Sequence, residues 1–321
     1  MKALVTGANG FIGSHLCATL VSKGYEVRGL VRKTSNLKWL VGLNLELVYG
    51  SVEDEDSLVH AVAGVDVVFH TAAVVRARDK NDFLRVNSEG SARLARASAS
   101  AGVKRFVLFS SVAAVGPVRP GESLSNKEVP APVSIYGRAK LEAERATLEY
   151  QEAMRLVILR FPAVYGPRDR DGLLMWRMFS RGVVPILGGT FSLVYVEDAV
   201  RAAVLAAECD CPSGSAFFVS DGNCYSYHQL ARVWKEVTKM KVVCFRVPRL
   251  LTFFAAGLNQ WLNREGAIFN LDKVRELCQA CWVCTDNRTE RGLGFKPEFD
   301  LRKGAEKTLR WYKEKGWLKI G

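Results

Sequence analysis

The first half of the chain alternates short apolar runs with longer stretches of mixed polarity. The runs are rich in valine, leucine and phenylalanine, which is typical of strands buried on both faces of a parallel sheet. They lie at residues 3–6, 26–31, 66–69, 104–109 and 155–160. The intervening stretches, the first of which starts near Phe11, have the polarity of helices that pack on a sheet. This pattern predicts an α/β fold, a doubly wound parallel sheet covered by helices on both faces.

The second half of the chain departs from this alternation. After residue 160, proline, glycine and aromatic residues recur up to Gly189. A helix at 194–208 and a strand at 216–220 are predicted to return to the sheet, and helices follow near 226–239, 250–262 and 301–315. A chain of 321 residues is longer than one typical domain. We therefore expect a large domain at 1–166, to which 192–220 returns, and a smaller C-terminal substrate-binding lobe at 167–191 and 221–321.

The composition is that of a globular protein, with 49% hydrophobic and 24% charged residues. Met1 and Lys2 lead directly into a strand without the apolar core of a signal peptide, so we expect a cytoplasmic protein. The late apolar stretch at 247–262 is interrupted by polar residues and falls short of the roughly 20 apolar residues that span a bilayer. With Arg246 and Arg249 beside it, three interpretations stay open: a ligand-pocket lining, a core or dimer helix, or a peripheral contact with anionic membranes.

The net charge of +12 comes from dispersed basic residues. No helix-turn-helix, zinc-finger or RNP signature accompanies them, so we expect no nucleic-acid partner and attribute the charge to a phosphorylated cofactor and a small-molecule substrate. Cys278, Cys281 and Cys284 form a C-x-x-C-x-x-C run, a pattern that contributes to some zinc and cluster sites. The run lacks a fourth cysteine followed by proline, and this spacing on a helix also serves packing. We therefore expect no metal.

A glycine motif at the start of the chain indicates a phosphate site. Gly7, Gly10 and Gly13 directly follow the first strand and open the first helix. In this context the first glycine permits a tight turn, the second lets the backbone approach a pyrophosphate, and the third allows close helix packing. The helix N-terminus adds free N–H groups. Strand, loop and helix together predict that a dinucleotide binds here.

The spacing G-x-x-G-x-x-G resembles that of the extended short-chain dehydrogenases/reductases, a family with a Rossmann fold. The resemblance is specific from Met1 to about Asp198 and diffuse after that. In members that prefer NAD, the second strand ends in an acidic residue that contacts the ribose. Here Val31 stands at that position, followed by Arg32 and Lys33. A guanidinium suits an added 2′-phosphate, so we favour NADP(H). NAD(H) stays open because Arg32 would also fit against the adenine.

The resemblance also implies which residues contact the cofactor. Ser51 and Val52 stand where the family contacts the adenine, although the usual residue at Ser51 is acidic. His70 is expected as a packing residue near the ribose and phosphates, and Asn87 matches a position that is often structural. The expected cofactor-binding set is Gly7, Asn9, Gly10, Phe11, Ile12, Gly13, Arg32, Lys33, Ser51, Val52, Thr71, Ala72, Ala73, Asn87, Tyr136, Lys140, Phe161, Pro162 and Val164.

Tyr136 and Lys140 stand four residues apart, on the same face of one predicted helix. A free phenol titrates near pH 10, so acid–base work near neutrality requires about three pH units, or roughly 4 kcal/mol, of phenolate stabilisation. The resemblance aligns Ser111 with the family's catalytic serine or threonine, and Ser110 is the neighbouring alternative. It implies hydride exchange with the nicotinamide while Tyr136 exchanges a proton, Ser111 orients the substrate oxygen and Lys140 supplies positive charge.

The segment from Phe109 to Pro117 resembles the 3β-hydroxysteroid dehydrogenase and dihydroflavonol reductase branch. This implies an oxidoreductase that acts on a carbonyl or alcohol of a small apolar or aromatic substrate. The first alternative is a nucleotide-sugar epimerase or dehydratase with tightly bound NAD(P). Those enzymes commonly carry an arginine where Phe191 and Ser192 stand. The residues that could replace it are Arg168, Arg170, Arg177 and Arg181.

The second alternative is a non-catalytic dinucleotide-sensing or scaffold protein. The intact set of Ser111, Tyr136 and Lys140 argues against it, because such proteins usually lose the tyrosine or the lysine. The resemblance further implies a homodimer formed through helices near 87–101 and 136–153.

Overall fold

The computed structural model describes residues 1–75, 80–126, 128–262, 269–285 and 288–319. The strands are β1 (Lys2–Thr6), β2 (Glu26–Val31), β3 (Glu46–Tyr49), β4 (Val67–His70), β5 (Arg105–Ser111), β6 (Arg155–Phe161), β7 (Ala163–Tyr165), β8 (Val183–Ile186), β9 (Thr190–Phe191), β10 (Leu193–Tyr195), β11 (Ser215–Phe218), β12 (Val243–Arg246) and β13 (Cys281–Trp282). The helices are α1 (Phe11–Ser22), α2 (Glu55–Val62), α3 (Lys80–Phe83), α4 (Gly90–Ser100), α5 (Ile135–Leu148), α6 (Arg170–Ser180), α7 (Val196–Glu208), α8 (Tyr227–Thr238), α9 (Arg249–Leu262), α10 (Leu271–Leu277), α11 (Arg288–Leu293) and α12 (Leu301–Glu314). A π-helical segment, Leu84–Glu89, joins α3 to α4, and a 3₁₀ turn, Val112–Ala114, follows β5.

Seven strands form one sheet in the order β11-β6-β5-β4-β1-β2-β3. All neighbouring pairs are parallel, and the register places Thr6 opposite Leu30 on one side and His70 on the other. The strand order reverses between β1 and β4, which leaves a crevice at the carboxyl ends of these strands. The predicted doubly wound parallel sheet is confirmed.

Two apolar layers cover the sheet because successive side chains of a strand point to opposite faces. Ala3 and Val5 pack in the same buried cluster as the apolar side of α1 and α7. Leu4, between them, packs with α2 and α4 on the other face. The alternation along a single strand thus accounts for helices on both sides.

A separate aromatic cluster lies among α6, α8 and α12. Trp176 stacks on Trp234 with ring centroids 5.8 Å apart. Tyr312 is fully buried in the same cluster and donates a hydrogen bond of 2.6 Å to the carbonyl of Asp169, just before α6. Three short parallel pairs, β7–β10, β8–β12 and β9–β13, accompany this cluster, whereas β11 pairs with β6 in the main sheet.

Three local features differ from the sequence-based expectations. Strand β3 lies at the sheet edge and has no fully buried residue, so it lacks the apolar run that reveals the other strands. The helix expected from residue 194 begins only at Val196, after β10. The cysteines of the C-x-x-C-x-x-C run do not share a helix face: Cys278 follows α10, Cys281 lies in β13, and Cys284 packs in a different apolar cluster from Cys278. Within the described ranges, no group of three His, Cys, Asp or Glu residues is placed to hold a metal.

The apolar stretch at 247–262 folds mainly as α9, which packs against α10. Only Thr252 and Ala256 of this helix are buried. Across the part of the chain that the structure describes, no helix has both the length and the apolarity required to cross a bilayer.

Candidate active site

A cleft of about 1540 Å³ opens at the carboxyl ends of β1, β4 and β5. The glycine loop and the strand ends line one side, and α6, α9 and α10 line the other. In doubly wound folds this is the position where ligands bind. The predicted catalytic residues Ser111, Tyr136 and Lys140 all line the cleft.

The glycine loop has the geometry of a phosphate cradle. Gly7 has a φ of +66°, which side chains rarely tolerate, and its carbonyl accepts a hydrogen bond of 2.9 Å from the N–H of Gly10. A Cβ on Gly13 would lie 2.3 Å from the carbonyl oxygen of Gly7. Helix α1 begins directly after Gly10, without a side-chain cap and without an acidic residue in its first turn. Its free N–H groups and positive dipole end therefore face the cleft and suit an anionic phosphate.

A buried hydrogen-bond chain supports the loop from below. His70 Nδ1 lies 2.8 Å from Thr6 Oγ1, and His70 Nε2 lies 2.8 Å from Ser91 Oγ, which donates to the carbonyl of Asn87. Burial, and next the charge of Lys140, lower the pKa of His70 to about 3, so the ring is neutral near pH 7. His70 is thus a structural link between β1, β4 and the helix that follows, as its expected packing role requires.

Asn87 is also part of this supporting layer. Its side chain accepts a hydrogen bond of 2.7 Å from the N–H of Val74 and donates one of 2.8 Å to the carbonyl of the same residue. Val74 lines the cleft, whereas Asn87 is buried behind it. Asn87 therefore shapes the cleft through the backbone of Val74.

The far end of the cleft collects basic and aromatic side chains after β2. Arg32 is exposed, and its backbone N–H donates to Ser35 Oγ at 3.1 Å. Lys38 Nζ lies over the ring of Trp39, 4.3 Å from its centroid, and both residues line the cleft with Arg32. The neighbouring carboxylate, Glu53, is paired with Arg85 at 2.7 Å. This end of the cleft is therefore suited to an anion.

The structure brings together nearly all of the predicted cofactor-binding residues. Two of the predicted residues, Lys33 and Asn87, lie within the described ranges but do not line the cleft. Lys33 is exposed beside Arg32. The predicted residues that do line the cleft are Gly7, Asn9, Gly10, Phe11, Ile12, Gly13, Arg32, Ser51, Val52, Thr71, Ala72, Ala73, Tyr136, Lys140, Phe161, Pro162 and Val164.

Ser111 and Ser110 have different environments at the end of β5. The Ser111 hydroxyl accepts a hydrogen bond of 3.1 Å from the N–H of Ala113, and it is near enough to Tyr136 to lower the pKa of the phenol. The Ser110 hydroxyl instead donates to Glu144 at 2.5 Å. Because Glu144 is buried and paired with Arg160 at 2.7 Å, Ser110 is held in a structural network. Ser111 is the serine placed beside the phenol.

Lys140 lies beneath the same site. Its Nζ donates a hydrogen bond of 2.5 Å to the carbonyl of Phe109, and the side chain is buried. Burial lowers the pKa of Lys140 to about 8, although the charge of Glu144 opposes this shift. The ammonium is thus charged at neutral pH and positioned by the strand that carries Ser111.

Tyr136 is in its protonated form at neutral pH. Burial, and next the Glu276 carboxylate, raise its pKa to about 12, whereas the Lys273 ammonium and the nearby Ser111 hydroxyl lower it. The pKa of this phenol therefore lies further from neutrality than that of a free phenol, which is opposite to the phenolate stabilisation expected from the sequence. Its ring also packs edge-on against Phe83, with ring centroids 6.2 Å apart.

Sequence reasoning missed three residues of α10 that reach this site. Asp272 accepts hydrogen bonds from the N–H groups of Ile135 (2.8 Å) and Tyr136 (3.2 Å), at the start of α5. Lys273 and Glu276 line the cleft and pair with each other at 2.9 Å. Their polar spacing on a short helix is typical of a solvated face, so the sequence carried no distinguishing signal.

Four arginines named in the epimerase alternative, Arg168, Arg170, Arg177 and Arg181, also line the cleft. Arg168 has a positive φ of 72° and donates a hydrogen bond of 3.0 Å to Ser14 in α1. Ser192, which stands where those enzymes commonly carry an arginine, is buried and donates a hydrogen bond of 2.9 Å to the carbonyl of Asn223. A diphosphate would therefore meet its cations on and near α6.

Comparison with known proteins gives a consistent match. The model of the family described as NAD dependent epimerase/dehydratase family matches residues 3–217. A ceramide reductase of Caulobacter vibrioides is 32% identical, over 98% of this chain and 95% of the relative. A 3-beta-hydroxysteroid dehydrogenase of Mycolicibacterium neoaurum is 28% identical, over 97% and 91%. The solved structure of MoeE5 in complex with UDP-glucuronic acid and NAD superposes with a TM-score of 0.78 and 26% identity, over 98% of this chain and all of that one.

Proposed function

The chain belongs to the NAD-dependent epimerase/dehydratase family, within the extended short-chain dehydrogenases/reductases, and from this membership we propose that it is an NADP(H)-dependent carbonyl reductase. The nicotinamide dinucleotide supplies the hydride when it is bound. Tyr136 donates the proton to the substrate oxygen, Ser111 orients that oxygen, and Lys140 provides positive charge below them. The tight glycine loop, in which a Cβ at Gly13 would collide with the carbonyl of Gly7, and the free N–H groups of α1 fit the pyrophosphate.

The observation that carries this proposal is the placement of Tyr136. Its phenol lines the same cleft as Ser111 and Lys140, and its raised pKa keeps it protonated at neutral pH. A protonated phenol and a hydroxyl that can orient the substrate oxygen together suit carbonyl reduction. In the oxidative direction the same phenol would first have to lose its proton, and the Glu276 carboxylate opposes that loss.

The choice of NADP(H) is supported by the end of β2. Arg32 lines the cleft near Ser35 and Lys38, and the nearby Glu53 carboxylate is paired with Arg85. NAD(H) remains the alternative, since the MoeE5 structure contains NAD. A guanidinium that contacts a phosphate contributes charge-assisted hydrogen bonds of about 1.5–3 kcal/mol.

Arg32→Ala is therefore expected to raise the Kd for NADPH by about 10–100-fold and to change the Kd for NADH less than about three-fold. Fluorescence titration of both cofactors measures the two constants. Lys33→Ala is the matched control, because it removes an equal charge one residue away from the cleft lining. Equal weakening by the two variants, or weakening of both cofactors by Arg32→Ala, would contradict a specific 2′-phosphate contact.

The proposed substrate is an apolar or aromatic carbonyl compound. The α9 side of the cleft presents Leu251, Ala255 and Phe269. The names of the two sequence relatives, a ceramide reductase and a 3-beta-hydroxysteroid dehydrogenase, refer to lipidic substrates. Both observations favour a long-chain or polycyclic ketone.

A substrate panel tests this proposal through the absorbance of the reduced cofactor. Long-chain ketones, steroid ketones and flavonoid-like carbonyls are offered beside UDP-sugars. We expect net NADPH oxidation with at least one apolar class and a kcat/KM at least ~100-fold below it for every UDP-sugar. Conversion of a UDP-sugar without net cofactor change would overturn the reductase proposal.

That outcome would support the second candidate, a nucleotide-sugar epimerase or dehydratase with tightly bound NAD(P). The four arginines that line the cleft and the UDP-glucuronic acid of the MoeE5 structure are the observations in its favour. Binding of dinucleotide without any conversion would instead indicate the third candidate, a sensing or scaffold protein.

We further propose the division of labour expected from the sequence. Residues 1–166 and 192–220 would bind the cofactor, and residues 167–191 and 221–321 the substrate. A homodimer would form through the outer sides of α4 and α5, which lie next to each other. Sedimentation analysis would read its mass directly.

A further inference from the structure

Helix α9 turns its apolar face toward solvent. Its large apolar side chains have high exposed fractions: Leu250 85%, Leu251 59%, Phe254 71%, Leu258 46%, Trp261 69% and Leu262 63%. At about 100° per residue, all six fall within an arc of about 120° on the helix. The inner side has Thr252 and Ala256 fully buried and Phe253 half-buried against α10. Most of the large apolar side chains of this helix therefore face away from the core.

The chain that leads into this face is basic. From residue 239 to residue 262 it contains Lys239, Lys241, Arg246 and Arg249 and no aspartate or glutamate. All four basic side chains are exposed, and Arg246 and Arg249 stand within four residues of Leu250. An apolar helix face with neighbouring cations and an exposed tryptophan is complementary to the interface of an anionic bilayer.

The same helix also lines the cleft. Leu251, Thr252 and Ala255 border the cleft, and Leu251 belongs to the exposed face as well. Phe254 and Leu250 are outside the cleft lining. The apolar face is therefore continuous with the substrate side of the cleft.

The charge beside the face favours a membrane over a second copy of the chain. In a two-fold dimer formed through this face, Arg246 and Arg249 of one copy would approach the same residues of the other, and like charges repel. An anionic lipid surface supplies the opposite charge.

We propose that α9 lies in the interfacial plane of an anionic membrane, with its apolar face among the acyl chains and Arg246 and Arg249 against the lipid phosphates. The cleft then opens toward the bilayer and takes its apolar substrate from it, a second step that rests on the proposed reductase function. Docking itself requires no turnover.

Co-sedimentation of the full chain with vesicles tests the docking step without any substrate. Wild type is expected to bind phosphatidylcholine vesicles that contain phosphatidylglycerol about ten-fold more strongly than pure phosphatidylcholine vesicles. Leu250→Ser/Phe254→Ser should weaken binding to the anionic vesicles at least about ten-fold. Arg246→Gln/Arg249→Gln should remove most of the preference for anionic lipid.

The matched control is Val41→Ser/Val129→Ser, which removes two exposed apolar side chains elsewhere, with exposed fractions of 80% and 88%. It should bind vesicles like wild type. Failure of wild type to bind, or equal loss in the control, overturns the proposal. A fall in sedimentation mass of Leu250→Ser/Phe254→Ser in the absence of lipid would also overturn it, because the face would then join two copies.

Failure of docking is distinguishable from failure of the proposed function. The Leu250→Ser/Phe254→Ser variant should reduce a water-soluble ketone at the wild-type rate and a vesicle-embedded ketone at least about ten-fold more slowly. A reductase that never binds vesicles refutes docking alone. A vesicle-binding protein that reduces no carbonyl refutes the proposed function alone.

Discussion

Tyr136→Phe is expected to lower kcat for carbonyl reduction by about 10²–10⁴-fold while the Kd for the dinucleotide stays within about two-fold. The substitution removes one oxygen and keeps the ring that packs against Phe83 at 6.2 Å. The variant therefore lacks the phenol O–H, which has a pKa of about 12 and which would donate the proton to the substrate oxygen. Steady-state kinetics and cofactor titration measure the two quantities.

Tyr150→Phe provides the matched control for this loss. Tyr150 is half-buried just beyond the other end of α5 and does not line the cleft. It should keep wild-type kcat. Activity of Tyr136→Phe within ten-fold of wild type would discard the phenol as the acid, and a matching loss of thermal stability would assign the defect to folding.

Gly13→Ala is expected to destabilise the fold by about 1–3 kcal/mol and to weaken dinucleotide binding about 10–100-fold. The added Cβ would lie 2.3 Å from the carbonyl oxygen of Gly7 and 2.9 Å from Thr71 Oγ1. The first of these atoms belongs to the backbone, so the loop itself has to move. Any such movement misaligns the N–H groups that face the phosphate.

Gly257→Ala is the control for this variant, because it places the same substitution in a helix with open space. A Cβ there would come no closer than 4.0 Å to its nearest neighbour, Leu271. The control should be neutral or stabilising by up to about 1 kcal/mol. Urea denaturation and cofactor titration of both variants compare them, and equal behaviour would show that the cradle tolerates a side chain.

The sheet could be predicted from the sequence where burial is complete. The strand expected at 26–31 is β2, and the helix expected from Phe11 is α1, because a buried parallel strand and a glycine loop each leave a strong local signal. The edge strand β3 left none, since its residues are exposed or half-buried. The sequence therefore predicted the buried strands and did not reveal the exposed edge strand β3.

The candidate site divides in the same way. Ser111, Tyr136 and Lys140 lie in short local motifs, and the structure places them in one cleft. The contacts of Asp272 with Ile135 and Tyr136 join residues more than 130 positions apart. Such contacts depend on how α10 docks, and no local spacing encodes them. The groups that shift the pKa of Tyr136 also include Glu276 and Lys273 of α10, which the local motif of Tyr136 and Lys140 did not reveal.

Asp272, which is remote from α5 in the sequence, accepts hydrogen bonds from backbone N–H groups in the first turn of that helix. The backbone of Tyr136 is tethered by a carboxylate that the sheet itself does not provide. If α10 detaches on warming, Asp272 no longer holds the backbone of Tyr136, and the phenol loses its position while all seven sheet strands remain paired. Enzymatic activity would then be lost at a lower temperature than the far-ultraviolet circular dichroism signal. The difference between the two midpoint temperatures would measure how stably α10 packs against α5.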